Sequence, residues 1–111
     1  MKTRLSVAVI SLCLCAVNAV AADHNAYVYC IGNDPGSYFS DVFRGDLELS
    51  EKYQKSFASF LSTKYGVDTN VNVGCVFYLN EQIAINAKNR YVRATIDHGG
   101  GVVETNWSYK Q

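Results

Sequence analysis

Of the four cysteines in this chain, only Cys30 and Cys75 lie outside its first 22 residues, and that pair constrains the fold more than any other feature. Residues 1–22 read as a secretory leader. Lys2 and Arg4 form a basic start, Leu5 to Val17 is apolar apart from Ser6 and Ser11, and Ala19-Val20-Ala21-Ala22 supplies the small residues that a signal peptidase needs. The apolar run is too short to cross a bilayer. Neither Cys13 nor Cys15 follows the small residue of a lipid-anchored cleavage site, so both leave with the leader. Export places the remainder in an oxidising compartment, periplasmic or secreted, where an even pair of cysteines reads as one disulfide between Cys30 and Cys75.

What remains, residues 23–111, is enough for one domain and not two. A domain of this size buries only about 60–65% of its unfolded surface, so a covalent staple matters more here than in a larger protein. The full chain has ten Lys and Arg against ten Asp and Glu. The leader removes Lys2 and Arg4, which leaves a slightly acidic remainder with no basic stripe. Nucleic acid is therefore not an expected partner, because phosphate recognition draws on clustered cations that release counterions. No membrane span is expected either.

The pattern of apolar residues orders the elements. Ala26–Gly32 is β-rich and aromatic and reads as the first strand, followed by a turn at Asn33-Asp34-Pro35-Gly36. Tyr38–Phe43 reads as a short return strand interrupted by Ser40-Asp41. Within Asp46–Gly66, Tyr53, Phe57, Phe60, Leu61 and Tyr65 recur at helical spacing, with Ser50 as the expected N-cap and Gly66 as the stop. Val71–Leu79 is a nearly continuous apolar run and reads as a central strand. Asn80 caps a second helix over about Glu81–Ile96, stopped by His98-Gly99-Gly100-Gly101, and Val102–Tyr109 alternates as the last strand. The expected fold class is α+β: a single small domain of order β-(β)-α-β-α-β, with a sheet of three to five strands, two helices packed on one face, and one disulfide.

Several of these positions carry a resemblance. Tyr29-Cys30, Tyr38-Phe39-Ser40-Asp41-Val42-Phe43, the Phe57…Phe60…Lys64-Tyr65-Gly66 run, Val73…Cys75 and Val102-Val103-Glu104-Thr105…Trp107 together resemble small secreted bacterial single-disulfide modules of unassigned function. The resemblance spans the whole exported part and implies a structural frame without chemistry. The element order is also similar, as an analogy only, to the peptidoglycan-binding SPOR fold, which would imply a cell-wall glycan as ligand.

The candidate contact residues are aromatic. Val103, Thr105, Trp107 and Tyr109 fall on one face of an alternating strand, where Trp107 either anchors a partner or closes the core. Tyr38, Phe39 and Phe43, if exposed in a loop, make the best single patch; tyrosine pairs a large contact area with a polar tip. The opposing reading is that a thin, stapled core uses its aromatics as filling. His98, Glu104 and Arg93 contain the residue types of an acid–base pair with an anion clamp, as in a small hydrolase or nuclease, although their spacing does not itself bring them together. Cleavage after Ala21 would leave Ala22-Asp23-His24 at the new terminus, four nitrogens of the kind that Cu(II) or Ni(II) favours; cleavage after Ala22 abolishes this. No motif implies a cofactor, and Gly99-Gly100-Gly101 follows a helix where a phosphate loop would precede one. The expected function is that of a small exported, non-enzymatic binding domain for a protein in or beyond the bacterial envelope, immunity-like or inhibitor-like. The alternatives are a peptidoglycan- or glycan-binding module and a small secreted hydrolase or nuclease.

Overall fold

The computed structural model describes residues 25–33, 36–68 and 70–110. The expected leader and cleavage point, and His24, lie outside the described residues. Five strands and two helices follow in the order β1 (Ala26–Asn33), β2 (Ser37–Phe39), β3 (Phe43–Gly45), α1 (Ser50–Tyr65), β4 (Asn72–Tyr78), α2 (Glu81–Asp97) and β5 (Val102–Glu104). A 3-10 turn, Leu47–Leu49, leads into α1.

β1 is the centre of the sheet. β4 runs antiparallel along one side of it, from Tyr27↔Tyr78 to Asn33↔Asn72. β2 and β3 pair antiparallel with β1 in succession, Ile31↔Phe39 and Val28↔Phe43, and β5 lies parallel to β2 beyond them. Cys30 faces Cys75 directly in the β1–β4 register, and their sulfurs are bonded.

The interruption between β2 and β3 is a bulge. Three residues, Ser40 to Val42, oppose two on β1, Tyr29 and Cys30. An extra residue reverses the inside–outside alternation of everything after it. Phe39 therefore packs with Tyr29 and Ile31 on one face of the sheet, while Phe43 packs with Val28 and Cys30 on the other. Without the bulge both rings would compete for one face. Ser40 repairs the ladder there: its N–H donates to the Cys30 carbonyl at 2.9 Å, and its hydroxyl accepts from the Cys30 N–H at 2.8 Å. Ser40 is completely buried, so no water can replace it.

The α+β class, the sheet, the two helices and the disulfide are present as expected, but the helices do not share a face. Val28 and Cys30 cluster with Tyr53, Phe57 and Leu61 of α1, whereas Tyr29, Ile31 and Phe39 cluster with Ala87 and Val92 of α2. The reason lies in β1, buried at nearly every position instead of at alternate ones, which requires a cover on both faces. α1 comes close enough that a Cβ on Gly32 would stand 2.6 Å from Leu61 Cδ1, so glycine makes room for the helix. Tyr53, Phe57 and Leu61 are fully buried, each worth about 1.5–3 kcal/mol relative to exposure.

The helix ends differ from expectation at one place. Ser50 is already helical; Asp46 does the capping instead, accepting from Glu48 N–H at the start of the 3-10 turn. Gly66 ends α1 at φ 73°, a left-handed conformation that favours glycine. Asn80 caps α2 as expected, accepting from Ile83 N–H at 3.0 Å. The last strand is shorter than expected. β5 stops at Glu104 because Asn106 takes φ 60°, although Thr105 still donates its N–H and its hydroxyl to the Phe39 carbonyl.

Two stability predictions follow from this frame. Replacing Cys30 and Cys75 with Ser removes a staple across a sequence separation of 45 residues. Unfolding in denaturant should then require about 2–5 kcal/mol less, and an unchanged midpoint under reducing conditions would refute the bridge's role. Ser40→Ala strands the buried Cys30 N–H and should cost about 1–3 kcal/mol in the same measurement.

Candidate binding surface

The aromatic residues singled out in the sequence are mainly core. Phe39 is completely buried and meets Tyr91 of α2 edge-on at 5.7 Å, and Phe43 is buried between Tyr53 and Trp107. These two are not part of an exposed loop patch: the bulge turns each ring inward on its own side of the sheet. Tyr38 is half-buried against Tyr65 at 5.3 Å. Trp107 lies on the α1 side, 5.0 Å from Phe57 and 6.2 Å from Phe60, and Tyr109 stands 4.8 Å from Tyr53. Both remain partly accessible at the rim, but their ring contacts are those of a core lid. Beyond the strand, Trp107 and Tyr109 still share the α1 side, and the Trp107 N–H donates back to the Thr105 hydroxyl.

His98, Arg93 and Glu104 are not brought together. The Glu104 carboxylate is 2.8 Å from Lys88 Nζ, ten residues before His98 on the same helix. Ten residues span about 15 Å of helix. The His98 ring turns back on α2, its Nδ1–H donating to the Ala94 carbonyl at 2.8 Å. Arg93 is exposed on α2, whereas Lys88 is buried against the sheet. The chemistry expected of that trio has no shared site.

Lys88 and Glu104 make a structural tie between α2 and β5. Lys88 is buried, its amine held by a half-exposed carboxylate. Beneath the same helix, Tyr29 stacks on Tyr78 with their planes 8° apart. Burial, reinforced by the hydrogen bond and the charge of Tyr78, raises the Tyr29 phenol well above its ordinary range and keeps it neutral.

The feature that sequence reasoning missed is at the opposite margin of the sheet. Val71–Leu79 does not form a central strand: β4 pairs with β1 and with no other strand among the described residues. Its nearly continuous apolar run reflects a two-faced strand, with Val73, Cys75 and Phe77 against the α1-side core and Tyr78 against the α2-side core. Val76 nevertheless remains 37% exposed, and Leu79 and Ile83, at the turn into α2, are 80% and 54% exposed. Cys30 gives both its backbone groups to Ser40 on the far side, so it exchanges none with Cys75. The 4.0 Å separation of their Cα atoms belongs to such a non-hydrogen-bonded pair. By alternation, the N–H and C=O groups of Val73, Cys75 and Phe77 point outward along the open edge.

That edge lacks the usual protections. No charged residue or proline occurs between Val71 and Leu79, whereas exposed edges are normally blunted by charge, proline, bulges or shortness. The other side of the sheet has such protection: β3 and β5 are three residues long each and carry Arg44 and Glu104, and a left-handed residue follows soon after β5. The signal available in the sequence was the nine-residue uncharged run itself, ending in an apolar residue too far along to reach the core. Comparison with family models, with curated proteins and with solved structures finds no match.

The Lys88–Glu104 tie generates a paired prediction. Glu104→Ala leaves a buried ammonium without its partner and should lower stability by about 1–3 kcal/mol, the partial exposure of the pair reducing the full penalty. Lys88→Met should be neutral or stabilising. Equal losses in both variants would mean that packing, not charge compensation, is what this contact supplies.

Proposed function

We propose that this chain is a small exported, non-enzymatic binding domain, that it recognises a protein in or beyond the bacterial envelope, and that the open β4 edge with Val76, Leu79 and Ile83 is its contact surface. The observation that carries this reading is the coincidence of unpaired strand edge and exposed apolar side chains at one margin. An edge of this kind binds by strand addition, in which main-chain hydrogen bonds give affinity and alternate side chains give selectivity. The leader-like residues 1–22 and the disulfide support export, to the periplasm or beyond. Among the described residues, no helix is long and apolar enough to cross a membrane.

The edge suits an immunity-like or inhibitor-like role, since such proteins act by covering a partner. The glycan-binding alternative relied on Trp107 and Tyr38 as open stacking surfaces, and both rings are engaged by side chains of α1. The hydrolase or nuclease alternative relied on His98, Glu104 and Arg93, which lie apart.

The test is affinity capture from an envelope extract by the folded exported domain and by Leu79→Asp. Leu79 is mostly exposed, so the variant should melt with the wild type. A stoichiometric protein captured at moderate salt by the wild type and lost by the variant is the expected result. Capture of wall fragments alone, or capture insensitive to Leu79→Asp, would overturn the reading.

A further inference from the structure

We propose that, in the protein free of its envelope partner, this edge receives β4 of a second copy of the chain, forming a symmetric dimer centred on Cys75 that the partner must displace. The proposal rests on the reading of the β4 edge as the contact surface and names what covers it before the partner binds.

The strand is complementary to itself. If two β4 strands run antiparallel with Cys75 opposite Cys75, the outward N–H and C=O groups described above meet in register. Cys75 exchanges two hydrogen bonds with its counterpart, and Val73 exchanges two with Phe77 of the second copy, once on each side of the axis. Six main-chain bonds form, and every outward group of these three residues is used. The side chains fit the same register. Gly74 falls opposite Val76 of the second copy on the α2 face. A Cβ on Gly74 would find nothing within 4 Å, and Val76 is the residue of β4 whose apolar side chain remains most exposed. Each copy thus supplies one gap and one projection, placed symmetrically about the axis.

Charge does not oppose the pairing, because the run from Val71 to Leu79 has none. A strand built for a partner of fixed charge would carry a complementary charge. One built against self-association would carry a repulsive one, since like charges meet across a two-fold axis. The dimer makes one ten-stranded sheet, with α1 helices on one face and α2 helices on the other, and its remaining margins are the three-residue strands β3 and β5 of each copy. The edge left open in one copy is closed by the other.

The register is testable by exchange of charge. Gly74→Lys and Val76→Glu each place like charges diagonally across the axis in the homodimer, while a mixture of the two variants forms one Lys–Glu pair and one native Gly–Val pair. Neither substitution disturbs the fold, since Gly74 faces open space and Val76 is partly exposed, and melting curves of the isolated variants check this. In sedimentation over a micromolar to millimolar dilution series, the wild type should dimerise and each variant should dissociate about fivefold more readily. The equimolar mixture should recover most of the loss. Amide exchange gives an independent reading: Val73, Cys75 and Phe77 should be protected only in the dimer, and Gly74, Val76 and Tyr78 at every concentration. A dimer indifferent to both variants, or a mixture no tighter than either alone, overturns this register and the proposal with it. A chain that stays monomeric yet loses envelope capture on Gly74→Lys overturns the dimer and leaves the edge reading standing. A monomer whose capture ignores Gly74→Lys and Leu79→Asp removes both.

Discussion

Cys30 ties the molecule together in two directions. Its sulfur is bonded to Cys75 on β4, and its backbone N–H and C=O are held by Ser40 at the bulge between β2 and β3. The central strand is therefore fixed covalently on one side and by a buried hydroxyl on the other, at the same residue. This division of labour has a geometric consequence. A residue that gives its main-chain groups to one neighbour has none for the other, so the residue opposite it, Cys75, must direct its own groups outward. The staple across this thin domain and the open edge beside it are two results of one pairing phase.

The bulge extends the same logic to the core. An alternating strand can send Phe39 and Phe43 only to the same side, and a sheet covered on both faces needs one on each. Inserting one residue at Ser40–Val42 redistributes them, and Ser40 then supplies the main-chain partner that the irregular ladder would otherwise lack. Trp107 and Tyr109 complete the α1 side as a lid over Phe43, Tyr53 and Phe57. On the α2 side, smaller residues, Ala84 and Ala87, let the helix settle, and the buried amine of Lys88 is matched to Glu104. The two faces differ in character: one is an aromatic cluster and the other a thinner cover that leaves Val76 and Ile83 in view.

The proposed function rests on the asymmetry of the sheet's two sides. β5 is short and charged, and irregular backbone follows it; β4 is seven residues long and uncharged, with its outer hydrogen-bonding groups in a row. A bare edge is a hazard unless something covers it, and this is the physical ground on which the proposed recognition role rests.

Periodicity and local chemistry in the sequence determined the order of elements, the helix α1 stripe of Tyr53, Phe57 and Leu61, the Asn80 cap, the Gly66 stop and the Cys30–Cys75 pairing, because each depends on residues close in the chain or on the only two cysteines beyond residue 22. Tertiary structure alone decided which strand was central, on which faces the helices lie, and that Phe39 and Phe43 are interior. A continuous apolar run such as Val71–Leu79 looks the same at the middle of a sheet as at its edge, because what distinguishes them is the neighbour on the far side, and no local pattern encodes it. The bulge was legible only as an interruption at Ser40-Asp41. Its effect, a reversal of inside and outside for every residue that follows, exists only once β1 lies beside it. The same holds for His98 and Glu104, six residues apart in the chain and set apart in space because the helix end and the following strand point their side chains to different neighbours.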